Sequence, residues 1–143
     1  MRSLLFLLST ISMSSLKYIT KNTKIINIGH LPGHVNRKVE LLKEAGFINS
    51  CGIITLETTK EAIKEDLKNS PNSLFIIGGA MIKTYPELVA ELNEYITNEV
   101  PSIIIHTTTA ADFPPGIPLP PSEEVVAQSG VTVALRYLAK EEL

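Results

Sequence analysis

The chain contains three histidines, and all three lie where a predicted strand gives way to the next turn. His30 and His34 flank a Leu-Pro-Gly turn after the first strand, and His106 ends the fourth. Imidazole changes charge near neutral pH, so it suits proton transfer, anion binding and metal ligation. Asp112, one of two aspartates in the chain, follows the fourth strand. These residues predict acid–base chemistry or anion binding, with His30 and His106 as the candidate catalytic residues.

Glycines and hydroxyls lie beside these side chains and could bring hydrogen-bond donors to a ligand. Glycine lets a phosphate approach the backbone closely, but the spacing fits neither a dinucleotide-binding loop nor a Walker A loop. Two tight strand-to-helix turns are therefore the competing interpretation. The candidate ligand-binding residues are Gly29, Gly33, His34, Gly78, Gly79, Thr107 and Asp112.

The residue types do not form a known metal motif. His30 and His34 are four residues apart, but Pro32 and Gly33 place them in a loop and not on one helix face. The single cysteine, Cys51, supplies no thiolate cluster and is expected to be a buried strand residue. We therefore predict no metal site, and the sequence identifies no cofactor.

Alternating strand and helix patterns must position these turns. Apolar, β-rich runs predict strands over 25–28, 51–56, 74–77 and 102–106. Between them, apolar residues recur at helical spacing, and two segments fit capping boxes with Thr58 and Thr84 as the caps. Three of the strands are continuous apolar runs, which indicates burial on both faces and a parallel sheet covered by helices. The predicted fold is α/β: an open, mostly parallel sheet of four or five strands flanked by helices, flavodoxin-like, in the order 2-1-3-4.

Ligands of open parallel sheets bind beyond the carboxyl ends of the strands, near the switch in strand order. Helix N-termini meet there, and their free N–H groups suit anions. Because the candidate residues all follow the ends of predicted strands, we expect them along one edge of the sheet. The expected ligand is a small anionic or nucleotide-like molecule, and the protein would bind it or act on it as an enzyme.

The first 22 residues are set apart from the predicted domain. Arg2 precedes a short apolar run over 4–8, as in a weak targeting peptide, whereas Met13 offers an alternative start. Residues 1–22 are therefore interpreted as an extension or a targeting segment. The α/β domain spans 23–112. Its lone cysteine favours a reducing compartment, so the expected location is the cytoplasm unless the first segment directs the chain elsewhere.

Residues 113–143 are predicted to be a proline-rich loop and a C-terminal helix packed on the domain. Ser122 can cap this helix, and a fifth strand over 130–134 is the alternative because Gly130 could break the helix. An exposed apolar surface here would favour a different function, namely non-catalytic protein interaction or self-association as a homodimer through this segment. The residues that would form that surface are Ile117, Leu119 and Val125.

The composition argues against two kinds of partner. The net charge is −2, and lysines alternate with glutamates along one predicted helix, so no basic surface is available for a phosphate backbone. No apolar run approaches the roughly 20 residues of a membrane span. We therefore predict no nucleic-acid partner and no membrane span.

Three features of residues 24–112 occur together: Ile28-Gly29 with Pro32 in the first turn, Gly78-Gly79 after the third strand, and His106-Thr107 followed by Asp112. In these features the chain resembles small, single-domain, flavodoxin-like α/β proteins of bacteria and fungi. The resemblance implies the fold described above. That family has no assigned activity, so the resemblance implies no substrate.

Overall fold

Four short strands form one parallel sheet at the centre of the fold. The computed structural model describes residues 17–139. The strands β1 (Ile25–Gly29), β2 (Ser50–Ile54), β3 (Leu74–Ile77) and β4 (Ile104–Thr107) lie in the order β2-β1-β3-β4, and each neighbouring pair is parallel. The predicted α/β class, the parallel sheet and the flavodoxin-like strand order are confirmed.

Two strands differ from their predicted bounds. The second strand ends at Ile54 because residues 55–57 form a 3-10 turn. The fourth strand begins at Ile104, two residues later than expected, and includes Thr107. At the carboxyl edge, the second strand therefore ends two residues earlier than predicted and the fourth strand ends one residue later. The topology of the sheet is unchanged.

Helices cover both faces of the sheet. One face is covered by α1 and α5, where Ile25, Leu42 and Val133 meet in the core. The other is covered by α2, α3 and α4, where Ile28 and Ile63 meet. Successive strand residues point to opposite faces, which explains why the strands read as continuous apolar runs. The helices are α1 (Pro32–Glu44), α2 (Lys60–Lys68), α3 (Met81–Thr84), α4 (Pro86–Glu99) and α5 (Glu123–Tyr137).

Two of the predicted N-cap residues do not cap their helices in the structure. Thr59, and not Thr58, caps α2, and its side chain accepts a hydrogen bond from the Ala62 N–H. Thr84 does not cap α4, because it is the last residue of the short helix α3 and the residue after it is the N-cap. Ser122 caps α5 as predicted, by accepting a hydrogen bond from the first turn.

The last helix is continuous, and the alternative strand over 130–134 does not form. α5 runs through Gly130 without a break and packs along α1. Arg37 of α1 makes two hydrogen bonds to the Glu124 carboxylate at the start of α5, at 2.9 and 3.0 Å. The C-terminal helix therefore forms one layer of the sandwich together with α1.

A short segment before β1 also packs on the end of α5. Ile19 is buried in the core, and its N–H donates to the carbonyl of Tyr137. The predicted targeting segment falls mainly on residues 1–16, which lie outside the described residues. Among residues 17–139, no helix is long and apolar enough to cross a membrane.

Candidate functional site

A cavity of about 1120 Å³ opens at the carboxyl edge of the sheet. Its walls include Ile28 and Gly29 at the end of β1 and Gly78 after β3. Thr108 follows β4 and contributes another wall, and several residues of the loop over 113–121 complete it. The cavity therefore lies where the strand order reverses, which is where open parallel sheets bind ligands.

Only some of the predicted site residues belong to this cavity. Its walls include Gly29, His30, His34, Gly78 and Gly79. Those that do not line it are Gly33, His106, Thr107 and Asp112. The structure thus brings together the turns after β1 and β3, and separates them from the side chains at the end of β4.

His30 and His34 are the imidazoles that border the cavity, and both are half-buried. The His30 ring lies 6.2 Å from the Tyr85 ring, centroid to centroid. Neither imidazole makes a side-chain hydrogen bond to a residue between 17 and 139. Their ring nitrogens are therefore available to a ligand as proton donors or acceptors.

His106, in contrast, is held at both ring nitrogens. Nδ1 lies 2.9 Å from the Tyr137 hydroxyl, and Nε2 lies 3.0 Å from Oδ2 of Asp112. A carboxylate only accepts, so the neutral ring donates from Nε2 to Asp112 and accepts the Tyr137 O–H at Nδ1. This arrangement ties the end of β4 to the last turn of α5.

Asp112 is the centre of the same cluster, and its side chain is 1% exposed. It accepts hydrogen bonds from the Thr109 N–H, at 2.9 Å, and from Arg136, at 2.6 Å, as well as from His106. Burial alone raises the pKa of this carboxyl, but the hydrogen bonds from His106, Thr109 and Arg136 outweigh it and hold the pKa below its usual range. The carboxylate is therefore ionised and fully engaged at neutral pH.

Gly33 serves a packing purpose. A β-carbon at Gly33 would collide with the carboxylate of Glu123. That carboxylate lies against the first turn of α1, where a negative charge is favourable because the free N–H groups there carry partial positive charge. The glycine therefore permits contact between the N-termini of α1 and α5.

Lys38 is the cavity residue that the sequence analysis missed. Its side chain is part of the wall, yet the residue is only 4% exposed. Its ammonium makes no hydrogen bond or ion pair with any residue in the described part of the chain. Burial lowers the pKa of Lys38 to about 8, against a smaller opposing effect from the negative charge of Asp112.

Two more buried polar groups of the wall lack a partner. Oδ1 of Asn27 and Oγ1 of Thr108 have no hydrogen bond within residues 17–139, although the Asn27 amide donates to the carbonyl of Cys51 at 3.2 Å. Buried polar atoms are nearly always paired, so these two atoms are exceptions among the residues that line the cavity.

The remaining wall is largely apolar. It includes side chains from α1 and the residue before it, from α3, from α5 and from the proline-rich loop: Leu31, Val35, Met81, Phe113, Ile117 and Val126. Lys83 also lines the cavity but is exposed. The site therefore combines a wide apolar surface with a few buried polar groups, which is typical of small-molecule pockets.

A sequence signal for Lys38 and Asn27 did exist. Lys38 lies three residues after Val35 and four before Leu42, so it occupies the buried stripe of α1. Asn27 interrupts an otherwise apolar strand and is buried. Both residues are polar side chains at positions where the helix or strand pattern calls for an apolar one.

Within residues 17–139, no group of three or more histidine, cysteine or carboxylate side chains is arranged to hold a metal ion. Cys51 is a free thiol in β2, and burial raises its pKa. The polar side chains of the residues that line the cavity are two amines, two imidazoles, an amide and two hydroxyls. Comparisons with protein-family models, with curated proteins and with solved structures found no match.

Proposed function

We propose that the chain binds a small organic molecule in the cavity at the carboxyl edge of the sheet. The ligand would place an apolar body against the wall and an oxygen-bearing polar end beside Lys38. The observation that carries this proposal is the buried amine of Lys38, which has no partner among residues 17–139 and belongs to a largely apolar wall. Burying such a group is costly, and an oxygen of a ligand would offset that cost.

The size and the polarity of the cavity support this class of ligand. A volume of about 1120 Å³ exceeds what most drug-sized molecules require, so a molecule as large as a nucleotide fits. The oxygen-bearing end would meet Lys38, and an anionic group elsewhere on the ligand would meet His34 and the exposed Lys83. The apolar walls favour a ligand with an apolar or aromatic body over a fully polar phosphosugar.

The hydrogen bonds of the histidines indicate which side chains would exchange a proton with the ligand. His106 has both ring nitrogens in hydrogen bonds and does not line the cavity. His30 and His34 line the cavity, and their ring nitrogens make no hydrogen bond to a side chain of the described residues. In this proposal, proton transfer to or from the ligand therefore falls to His30, His34 and Lys38.

A second candidate function is self-association, or binding of another protein, through the C-terminal segment. One observation favours it: Leu119 is 81% exposed. Against it, the apolar face of α5 is already used, because Ala127, Val133 and Ala134 are buried inside the fold. The ligand-binding proposal therefore takes precedence.

The test uses 8-anilinonaphthalene-1-sulfonate, an aromatic anion whose fluorescence rises in apolar sites, and two matched variants of the full chain. Ala110 and Ala111 are adjacent and exposed in one 3-10 turn, but only Ala110 lines the cavity. We expect saturable 1:1 binding to the wild type, affinity at least about tenfold weaker for Ala110→Phe, and no change for Ala111→Phe.

Urea unfolding and near-ultraviolet circular dichroism establish that both variants keep the native fold. Equal affinity in the two variants would place the dye elsewhere and contradict the proposal. Weak, unsaturable binding to the wild type would do the same. Sedimentation equilibrium of the wild type and of Leu119→Ser addresses the second function, which predicts a dimer that the substitution weakens.

A further inference from the structure

We propose that Lys38 is a nucleophile that forms an imine with the carbonyl group of an aldehyde or ketone bound in the cavity. This inference rests on the proposed ligand-binding function and names the reactive group of the ligand. Its geometric basis is a primary amine in the cavity wall, nearly closed off from solvent, with no ion-pair partner in the described part of the chain.

The packing of α1 and α5 holds this amine in place. Side chains on a helix lean toward its N-terminus, and the N-terminus of α1 faces the carboxyl edge of the sheet. The stem of Lys38 also passes Gly130 of α5 so closely that no side chain fits there. The amine is therefore held on a packed stem, in contrast to a surface lysine with four free rotors.

A lysine attacks a carbonyl carbon only as the neutral amine. Burial lowers the pKa of Lys38 to about 8 because the charged form loses its hydration. At pH 7 roughly a tenth of the molecules then carry a neutral amine, several hundred times the fraction for a lysine of ordinary pKa. The site therefore supplies the reactive form at neutral pH.

The same burial favours a carbonyl compound over a carboxylate as the partner. A carboxylate would pair with the ammonium form, which the apolar wall disfavours. An aldehyde or ketone is neutral and consumes the neutral amine. The aromatic and aliphatic side chains of Phe113, Ile117 and Val126 line the same cavity, so an aromatic or long aliphatic carbonyl compound fits best.

The reaction is balanced with water as its only by-product. The lone pair of Nζ forms a bond to the carbonyl carbon, and the carbonyl oxygen takes a proton to give a carbinolamine. The nitrogen loses one proton, the hydroxyl takes up a second proton and leaves as water as the carbon–oxygen bond breaks, and the nitrogen lone pair forms the carbon–nitrogen double bond. Loss of the second proton from the nitrogen gives the neutral imine, so the two protons that the oxygen gains balance the two that the nitrogen loses. No electron acceptor or donor is required.

His34 is placed to move these protons. It lies four residues before Lys38, so the two side chains occupy adjacent turns on one face of α1. His34 also lines the cavity. An imidazole can take the proton that the attacking nitrogen loses and give it to the departing oxygen.

The experiment treats the full chain with benzaldehyde and sodium cyanoborohydride, which reduces an imine to a stable benzyl amine, and maps the modified lysines by peptide mass spectrometry. Lys83 is the internal comparison, because it lines the same cavity but is exposed. We expect Lys38 to be modified at least about tenfold faster than Lys83 at pH 7.

Two further measurements separate this inference from the proposed function. Competition between benzaldehyde and the anilinonaphthalene dye reports binding alone, and Ala110→Phe should lose both dye binding and labelling. Equal labelling of Lys38 and Lys83, with competition intact, would overturn the imine and leave the binding site standing. Absence of both competition and dye binding would overturn the two proposals together.

Discussion

Lys38 of α1 passes over Gly130 of α5 so closely that a β-carbon on Gly130 would lie 2.5 Å from Cγ and 2.9 Å from Cδ of the lysine. Glycine in the middle of a helix weakens it by about 1 kcal/mol relative to alanine. The chain therefore accepts a weaker α5 at the point where the lysine stem crosses it. The two residues form one packing unit, 92 positions apart in the sequence.

This relationship predicts that the effect of Gly130→Ala depends on Lys38. In the wild type, the new methyl group collides with the lysine stem, and we expect a loss of about 1–2 kcal/mol from overpacking. In a Lys38→Ala background the space is free, so the same substitution should stabilise the protein by about 1 kcal/mol through helix propensity. Urea unfolding of the four proteins measures the coupling energy. Equal effects in both backgrounds would mean that the glycine does not accommodate the lysine.

Lys38 should destabilise the folded protein at neutral pH. Its pKa falls from 10.5 in the unfolded chain to about 8 in the folded one, so between these values the unfolded chain binds more protons. Stability therefore rises with pH through this window, and the destabilisation is complete below it. We expect Lys38→Met to be more stable than the wild type at pH 7 by on the order of 3 kcal/mol, a gain that shrinks toward pH 10.

Urea unfolding at pH 7, 8.5 and 10 checks this expectation. Lys83→Met is the matched control, because Lys83 lines the same cavity but is exposed, and its stability curve should run parallel to that of the wild type. A constant difference between Lys38→Met and the wild type across the three pH values would show that the lysine titrates normally.

Asp112 should be the main acid-sensitive residue of the described fold. Its pKa is held below the ordinary 3.8, so its contribution to stability is present above that value and is lost as the pH falls through the lower folded pKa. Asp112→Asn keeps the shape but loses the charge that Arg136 and His106 pair with, and we expect a loss of about 3 kcal/mol at pH 7.

The only other aspartate of the chain supplies the control for that substitution. Asp66 is exposed on α2, so Asp66→Asn should change the free energy of unfolding by less than about 0.5 kcal/mol. Unfolding measured from pH 7 to pH 2 should show a steep acid loss in the wild type and in Asp66→Asn, and a shallower loss in Asp112→Asn. Similar curves for all three proteins would assign the acid sensitivity to other groups.

The sequence was sufficient for the sheet because each strand carries its own signal. The isoleucine runs in β1, β3 and β4 indicate burial on both faces, and the helix-containing connections between successive strands predict parallel pairing. The position of the cavity follows from that order. Its glycine turns after β1 and β3, and the histidines His30 and His34, were therefore predicted at the correct edge of the sheet.

The roles of the remaining residues depend on contacts that no local pattern contains. His106 is engaged by Tyr137, 31 residues away, and Asp112 by Arg136, 24 residues away. Lys38 is buried only because α5, which follows a proline-rich loop, packs on α1. Sequence position predicted His106 at the ligand site and did not include Lys38, whereas the structure places Lys38 in the cavity wall and His106 outside it. Neither helix packing nor the partner of a buried charge can be derived from spacing.

The two histidines first named as catalytic candidates should respond to substitution in opposite ways. His106 bonds to Tyr137 and Asp112, so His106→Ala should cost about 2–3 kcal/mol of stability by leaving buried polar groups unpaired. His30 borders the cavity and has no hydrogen-bond partner among the described side chains, so His30→Ala should change stability by less than about 1 kcal/mol.

The binding of anilinonaphthalene sulfonate should weaken several-fold in His30→Ala, because the imidazole borders the cavity that holds the anionic dye. In His106→Ala, measured where the protein remains folded, the dye affinity should equal that of the wild type. Urea unfolding and dye titration of both variants distinguish the roles, and a loss of affinity confined to His106→Ala would return the acid–base role to the end of β4.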